Sequence, residues 1–238
     1  MKKLKLMLMF LLVSYSALAF KMEGITFNKS LKDGYKEFII HNEGTKKIRY
    51  RVFVRPSGKE DITDCIEVFP KIITIEPKSS QVLKMFGKAK RELENKEYPF
   101  YLDFQQIVIP TLGKSDGKTI SGSSTMSLAP SVEMKGHGGV IDYSQALNLE
   151  NMKFYKDEKG NLMLDANLVN NSHGAIEIGL NFYNRDRSKL VSQGMGTVPA
   201  NSNEKITINL DSFTDEKQIK YIIFYDEFFE TIKEIERE

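Results

Sequence analysis

The segment that decides the fold reads Ile48-Arg49-Tyr50-Arg51-Val52-Phe53-Val54-Arg55. Its even-numbered side chains are all apolar, and arginine occupies three of its four odd-numbered positions. Successive side chains of a β-strand point to opposite faces, so this period of two predicts a half-buried strand. The apolar face should cover a core, and the guanidinium groups should lie in solvent.

The same alternation recurs along the chain, and turn-forming residues separate the repeats at short intervals. Examples of such turns are Asn42-Glu43-Gly44 and Asp157-Glu158-Lys159-Gly160. Many short alternating strands with this punctuation predict an all-β chain built from sandwiches. Further strands are predicted around residues 98–104, 162–168, 176–182 and 206–210.

Two sandwich domains fit the length, because such a domain has about 100 residues. Three glycines in the segment Gly136-His137-Gly138-Gly139 interrupt a strand-like pattern. We therefore expect an N-terminal domain over residues 20–135 and a C-terminal domain over residues 140–238. The last residues, 226–238, have apolar side chains at helical spacing, which predicts either a short terminal helix or a charged, frayed tail.

The first 19 residues have the pattern of a secretory signal peptide. Lysines precede a short apolar run from Leu6 to Val13, and small residues end at Ala17-Leu18-Ala19. We expect cleavage after Ala19 and export; the alternative is a membrane anchor. No later stretch reaches the roughly 20 apolar residues of a membrane helix, so the mature chain should be soluble, without membrane insertion.

The charge balance argues against nucleic acid as a partner. The whole chain has a net charge of +2, and removal of the leader with its three lysines leaves about −1. The one cysteine, Cys65, cannot form an internal disulfide. It is either a reactive thiol or, as its apolar neighbours favour, part of a half-buried strand.

Sequence motifs for catalysis or metal binding are absent. The three histidines, His41, His137 and His173, lie far apart in different predicted loops. The chain contains no metal-ligand spacing, no phosphate-binding glycine loop and no G-x-S-x-G elbow. We therefore expect no catalytic residues, no metal and no cofactor, and hence no enzyme.

Three segments of the first domain contain recognisable motifs. Residues 69–84 contain a proline, a hydrophobic strand and a Glu-Pro turn that leads into the next strand. Residues 97–110 contain an acidic residue, an aromatic-rich strand and a closing Ile-Pro, and residues 35–50 contain a strand, a turn and a further strand. Together these segments resemble the PapD-like periplasmic chaperones that assemble pili and fimbriae, in which Asn is usual at the position of Asp103. The resemblance implies two immunoglobulin-like β-sandwich domains in a periplasmic protein.

Members of that family donate the last strand of their first domain to an incomplete pilus subunit. A donated strand satisfies the subunit's unpaired backbone groups and fills its hydrophobic groove. The resemblance implies a donor segment between Lys118 and Met134. Its expected subunit-binding side chains, which fall on even positions, are Ile120, Met126, Leu128, Val132 and Met134. The alternative is an ordinary last strand that closes its own domain.

The family also anchors the subunit's terminal carboxylate with two basic side chains. The first family position falls at Asn28, next to Lys29, and the second at Glu133, two residues before Lys135. Lys29 and Lys135 are therefore the expected anchors, although solvated lysines near turns would have the same pattern. The Glu-Pro turn lacks the buried basic residue that usually precedes it, since Thr74 occupies that position.

The resulting hypothesis is a non-enzymatic periplasmic chaperone that binds exported fimbrial or other secreted subunits by edge-strand addition. Pilin-like subunits and an outer-membrane usher are the implied partners. The alternative is a structural or adhesive surface β-sandwich module. The chain has no obvious anchor, no lipidation cysteine after the leader and no internal repeat to support that alternative.

The leader can be tested directly. Intact-mass measurement of the exported protein should give a chain that begins at Phe20, because the A-x-A site lies behind a compact apolar run. A mass that retains residues 1–19 would contradict the export hypothesis.

Overall fold

A computed structural model describes residues 20–58, 60–107 and 129–237. The chain divides into two compact units. The first contains residues up to 93 together with residues 98–136, and the second contains residues 94–97 together with residues 137–238. The boundary predicted at residues 135–140 remains a prediction for limited proteolysis to test.

The first unit is a two-layer antiparallel sandwich. Its strands are β1 (Phe20–Glu23), β2 (Tyr35–Asn42), β3 (Ile48–Pro56), β4 (Ile66–Phe69), β5 (Ile72–Ile75), β6 (Ser80–Gly87), β7 (Glu97–Gln106) and β8 (Ser131–His137). One sheet has the order β1-β2-β6-β4 and the other the order β5-β3-β7-β8. The predicted strand at residues 48–55 is confirmed within β3, and its even-numbered side chains point toward the core.

Two consecutive strands of this unit pair in different sheets. Strand β4 pairs with β6 of one sheet, and β5, two residues later, pairs with β3 of the other. The segment 66–75 therefore crosses from one layer to the other. Such a crossing between two four-stranded sheets is compatible with an immunoglobulin-like sandwich.

The second unit is also an immunoglobulin-like sandwich. A short helix, α1 (Tyr143–Ala146), precedes β9 (Leu147–Lys156), β10 (Leu162–Asn170), β11 (Ile176–Tyr183), β12 (Leu190–Val198), β13 (Ser202–Asn209), β14 (Tyr221–Asp226) and β15 (Thr231–Glu236). The sheets have the orders β13-β10-β9 and β12-β11-β14-β15. The predicted strand at residues 162–168 lies within β10, and the one at residues 176–182 lies within β11. The one at residues 206–210 covers the end of β13 and one residue beyond it.

The predicted terminal helix is wrong, because residues 231–236 form strand β15 instead. The register between β14 and β15 shifts so that Phe224 faces Lys233 and Tyr225 faces Thr231, which leaves Ile232 as an extra residue. This bulge lets Ile232 and Ile235, three residues apart, both pack on the core. A three-residue spacing that indicated a helix therefore arises from an irregular strand.

A buried asparagine closes the same turn in each unit. In the first unit, Asn42 is 1% exposed; its Nδ2 donates to the carbonyl oxygens of Lys46 at 2.8 Å and Ile75 at 3.0 Å. In the second unit, Asn170 is fully buried, and its Nδ2 donates to Gly174 O at 3.0 Å and Pro199 O at 2.9 Å. Each amide thus links the end of a strand in one sheet to loops that lead into the other sheet.

In the described part of the chain, no helix has the length and apolar character required to cross a bilayer.

Replacement of Asn170 by alanine should lower the free energy of unfolding by about 2–4 kcal/mol, because a fully buried side chain would lose its bonds to Gly174 O and Pro199 O, and the buried amide of Ser172 would lose its acceptor. The next residue provides a matched control: Asn171 is exposed, so Asn171→Ala should change the free energy by less than about 0.5 kcal/mol. Urea denaturation followed by far-UV circular dichroism measures both. Equal midpoints for the two variants would contradict the role assigned to Asn170.

Candidate functional site

Strand β8 occupies one end of the sheet β5-β3-β7-β8. Its entry is fixed by a backbone hydrogen bond in which Phe104 N of β7 donates to Pro130 O at 2.9 Å. A strand at the end of a sheet presents one row of backbone donors and acceptors away from its neighbour. This edge, together with the basic residues beside it, is the candidate site.

A polar network fastens β8 to the two strands next to it. Arg55 Nε of β3 donates to Asp103 Oδ2 of β7 at 2.8 Å, and Ser131 Oγ of β8 donates to Asp103 Oδ1. The Arg55 guanidinium also lies 4.4 Å from the ring centre of Tyr101, and Asp103 raises the pKa of Arg55 through a side-chain hydrogen bond. Sequence reasoning identified Asp103 only as a departure from the family's Asn. Its partners are 48 and 28 residues away, so no local pattern reveals the network.

The two predicted contact residues in β8 point into their own domain. Met134 is 2% exposed and belongs to the core, and Val132 is half-buried and packs against the same core. Met134 could therefore reach a subunit only if β8 moved. The burial of these side chains is the geometry expected of a strand that closes its own sandwich.

A backbone hydrogen bond between the segment before β2 and strand β8 brings the backbone near Lys29 close to Lys135, the two predicted anchors. Asn28 N donates to Lys135 O at 2.8 Å, so Lys29 follows the residue that is bonded to Lys135. The approach is close enough that a Cβ on Gly136 would lie 2.5 Å from Leu31 Cδ2, which explains a glycine at that position. Leu31 is fully buried and holds the segment against the core. Lys135 is exposed and Lys29 is half-buried.

The remaining predicted contacts, Ile120, Met126 and Leu128, lie outside the described residues.

The histidines are arranged differently from the sequence expectation. His137 and His173, which were expected to lie far apart, have ring centres 6.2 Å apart in the second unit. His173 Nε2 lies 2.8 Å from Gly138 O. Among the described residues, no three His, Cys, Asp or Glu side chains form a group that could hold a metal ion.

The cysteine has the environment of a core residue. Cys65 is fully buried, and burial, followed by the Asp64 carboxylate, raises the pKa of its thiol. Both effects disfavour the thiolate, which is the reactive form. The geometry therefore favours a packing role for Cys65 over a reactive one.

Neither protein-family models nor curated proteins match this chain. Among solved structures, the chain is similar to the YadV chaperone, with 11% identity, a TM-score of 0.41 and coverage of 92% of this chain and 100% of that one. It is similar to the E. coli chaperone DraB, with 10% identity, a TM-score of 0.41 and coverage of 92% and 95%. It is also similar to a chain of the CsuC–CsuE chaperone–tip adhesion subunit complex of Acinetobacter baumannii, with 16% identity, a TM-score of 0.38 and coverage of 91% and 97%. These proteins are of the class that the sequence motifs resemble.

Removal of the carboxylate that fastens β8 should loosen this strand selectively. In Asp103→Ala, we expect the amides of residues 131–135 to exchange with solvent several-fold faster, because Arg55 and Ser131 lose their shared partner. Glu76→Ala removes the ion pair with Lys47 and provides a control for loss of a surface charge. Hydrogen exchange read by mass spectrometry tests this, and unchanged exchange of residues 131–135 in Asp103→Ala would contradict it.

Proposed function

We propose that this chain is an exported, periplasmic, chaperone-like protein that binds secreted subunits, fimbrial ones among them, by β-augmentation. The strand offered to the subunit is the edge formed by β8 and the segment that precedes it. The observation that carries the proposal is the position of β8 at the end of its sheet, with the segment containing Lys29 bonded to it at Lys135.

The physical basis of binding is the unsatisfied backbone of both partners. An incomplete subunit exposes unpaired donors and acceptors beside a hydrophobic groove, and an edge strand can pair with them. Apolar side chains of the donated segment, Ile120, Met126 and Leu128, would fill the groove. In this proposal Val132 and Met134 keep the strand attached to its own domain, which narrows the expected contact set to the residues before β8.

Lys29 and Lys135 would fix the position of a bound subunit along the edge strand. Two ammonium groups near one end of the edge would bind a subunit's terminal carboxylate through charge-assisted hydrogen bonds. An anchored carboxylate sets the register between the two strands, which matters because a shift of one residue would turn every side chain to the opposite face. The proposed partners are pilin-like subunits and an outer-membrane usher. The proposed activity is binding, without catalysis or a cofactor.

A structural or adhesive module is the second candidate, and the burial of Met134 favours it. If the whole segment from residue 118 onward packs like Met134, the strand closes its own domain and offers no groove-filling side chains. The two candidates differ in where Met126 and Leu128 lie before a partner binds.

The double variant Met126→Asp/Leu128→Asp separates these candidates. For a donor segment, thermal melting should be nearly unchanged while co-purification of exported subunits from the periplasm is lost, because the two charges would enter a hydrophobic groove. For a closing strand, the same variant should lose several kcal/mol of stability. Met134→Asp is the matched reference for a buried position, and it should be destabilised in both cases.

A second variant tests the anchor in the same assay. Lys29→Glu/Lys135→Glu should melt like wild type and lose the co-purified subunits, whereas Lys21→Glu, on β1, should keep them. A large loss of melting temperature in Met126→Asp/Leu128→Asp, or full retention of subunits by both double variants, would overturn the proposed function.

A further inference from the structure

The turn between β14 and β15 displays two phenylalanines. We call residues 226–230, which read Asp-Glu-Phe-Phe-Glu, the aromatic tip. Phe228 is 62% exposed and Phe229 is 78% exposed. Single exposed apolar residues are common, but two adjacent aromatic rings at the end of a hairpin form a concentrated apolar surface.

The backbone of the aromatic tip is tightly fixed. Asp226 Oδ1 accepts hydrogen bonds from Phe228 N at 2.8 Å and Glu230 N at 2.9 Å. Phe229 N donates to Asp226 O at 3.0 Å. Phe229 has φ 62°, a left-handed conformation that is unusual for a bulky residue and persists only where the surroundings enforce it.

Phe229 packs on Tyr225, which in turn packs on Gly179. Its ring lies on that of Tyr225, with ring centres 5.3 Å apart and an angle of 16° between the planes. Tyr225 in turn covers Gly179, where a Cβ would lie 2.1 Å from the tyrosine ring. Tyr225 Oη is 3.1 Å from Ser192 Oγ. The exposed phenylalanine is therefore held in one orientation, which reduces the entropy lost on binding.

The first unit contains a pocket whose chemistry complements the tip. This pocket, which we call the basic pocket, has a volume of about 480 Å³ and an apolar lining that includes Val54, Ile66 and Ile72. Arg51, Lys71 and Lys88 also line it, with one carboxylate, Glu67, 3.1 Å from Lys88. A pocket of this size can hold an aromatic side chain.

The charges of the two surfaces are opposite. The tip contains three acidic residues: Glu230 is exposed, Glu227 is half-buried, and the half-buried Asp226 accepts hydrogen bonds from the amides of the tip itself. The pocket is lined by apolar side chains and by three cations, one of which, Lys88, is paired with Glu67. Aromatic anchors in a desolvated pocket, with opposite charges at the rim, form the usual arrangement of a protein interface.

We propose that the aromatic tip of one copy of this chain occupies the basic pocket of a second copy, so that the protein self-associates. The proposal is independent of the proposed function, because neither surface contains β8, Lys29 or Lys135. Because opposite charges attract the two surfaces to each other, and salt screens that attraction, the association should be weaker at high salt.

Sedimentation velocity of the full exported protein, from about 1 μM to about 1 mM at low and high salt, tests this proposal. Wild type should show concentration-dependent association. The tip variant Phe228→Ala/Phe229→Ala and the pocket variant Arg51→Glu/Lys71→Glu should each associate at least tenfold more weakly. Ile25→Ala, which changes an apolar side chain that is 59% exposed elsewhere, should associate like wild type.

Mixing the two variants gives the decisive measurement. The tip variant has an intact pocket and the pocket variant has an intact tip, so an equimolar mixture should recover association that neither shows alone. The milder Arg51→Gln/Lys71→Gln replaces the pocket variant if circular dichroism shows that the glutamates disturb the fold.

Three results would overturn the proposal. These are a monomeric wild type throughout the concentration range, association that is indifferent to both variants, and a mixture that does not recover. Phe228- and Phe229-dependent co-sedimentation of a monomeric protein with phosphatidylcholine vesicles would assign the tip to a lipid surface instead.

Discussion

The interaction on which each sandwich depends is the side-chain amide of a buried asparagine. Asn42 and Asn170 are the last residues of corresponding strands, and each buried amide donates hydrogen bonds both to the turn that follows its own strand and to a second, distant turn. Hydrophobic burial is non-directional and would hold two sheets together in many relative positions. The asparagine bonds have fixed geometry, so they select the position in which the loops meet.

The candidate site follows from this arrangement. Once the two sheets of the first unit are aligned, β7 places Asp103 beside both Arg55 and Ser131, and β8 is attached at the end of its sheet. The segment through Asn28 and Leu31 then packs against the far end of β8. The end strand β8 is thus held both by β7 and by the segment that contains Asn28 and Leu31.

Features with a local cause could be predicted from the sequence, and features that depend on distant partners could not. The strand at residues 48–55 has its period of two in consecutive residues, so its fold and inner face were predictable. The burial of Asn170 could not be predicted, because it depends on a bond to Pro199, 29 residues away. The terminal segment was misassigned because the bulge at Ile232 imitates helical spacing. Lys29 and Lys135 could be proposed only through the family resemblance, since solvated lysines have the same pattern.

The crossing of residues 66–75 between the two sheets of the first unit has a mechanical consequence. Because one continuous segment pairs with β6 in one layer and with β3 in the other, the layers cannot slide past each other without breaking one of these ladders. Shear between the layers is thereby coupled to strand separation, and the first unit should resist pulling as a single block. A load on either sheet would therefore be shared with the other sheet through residues 66–75.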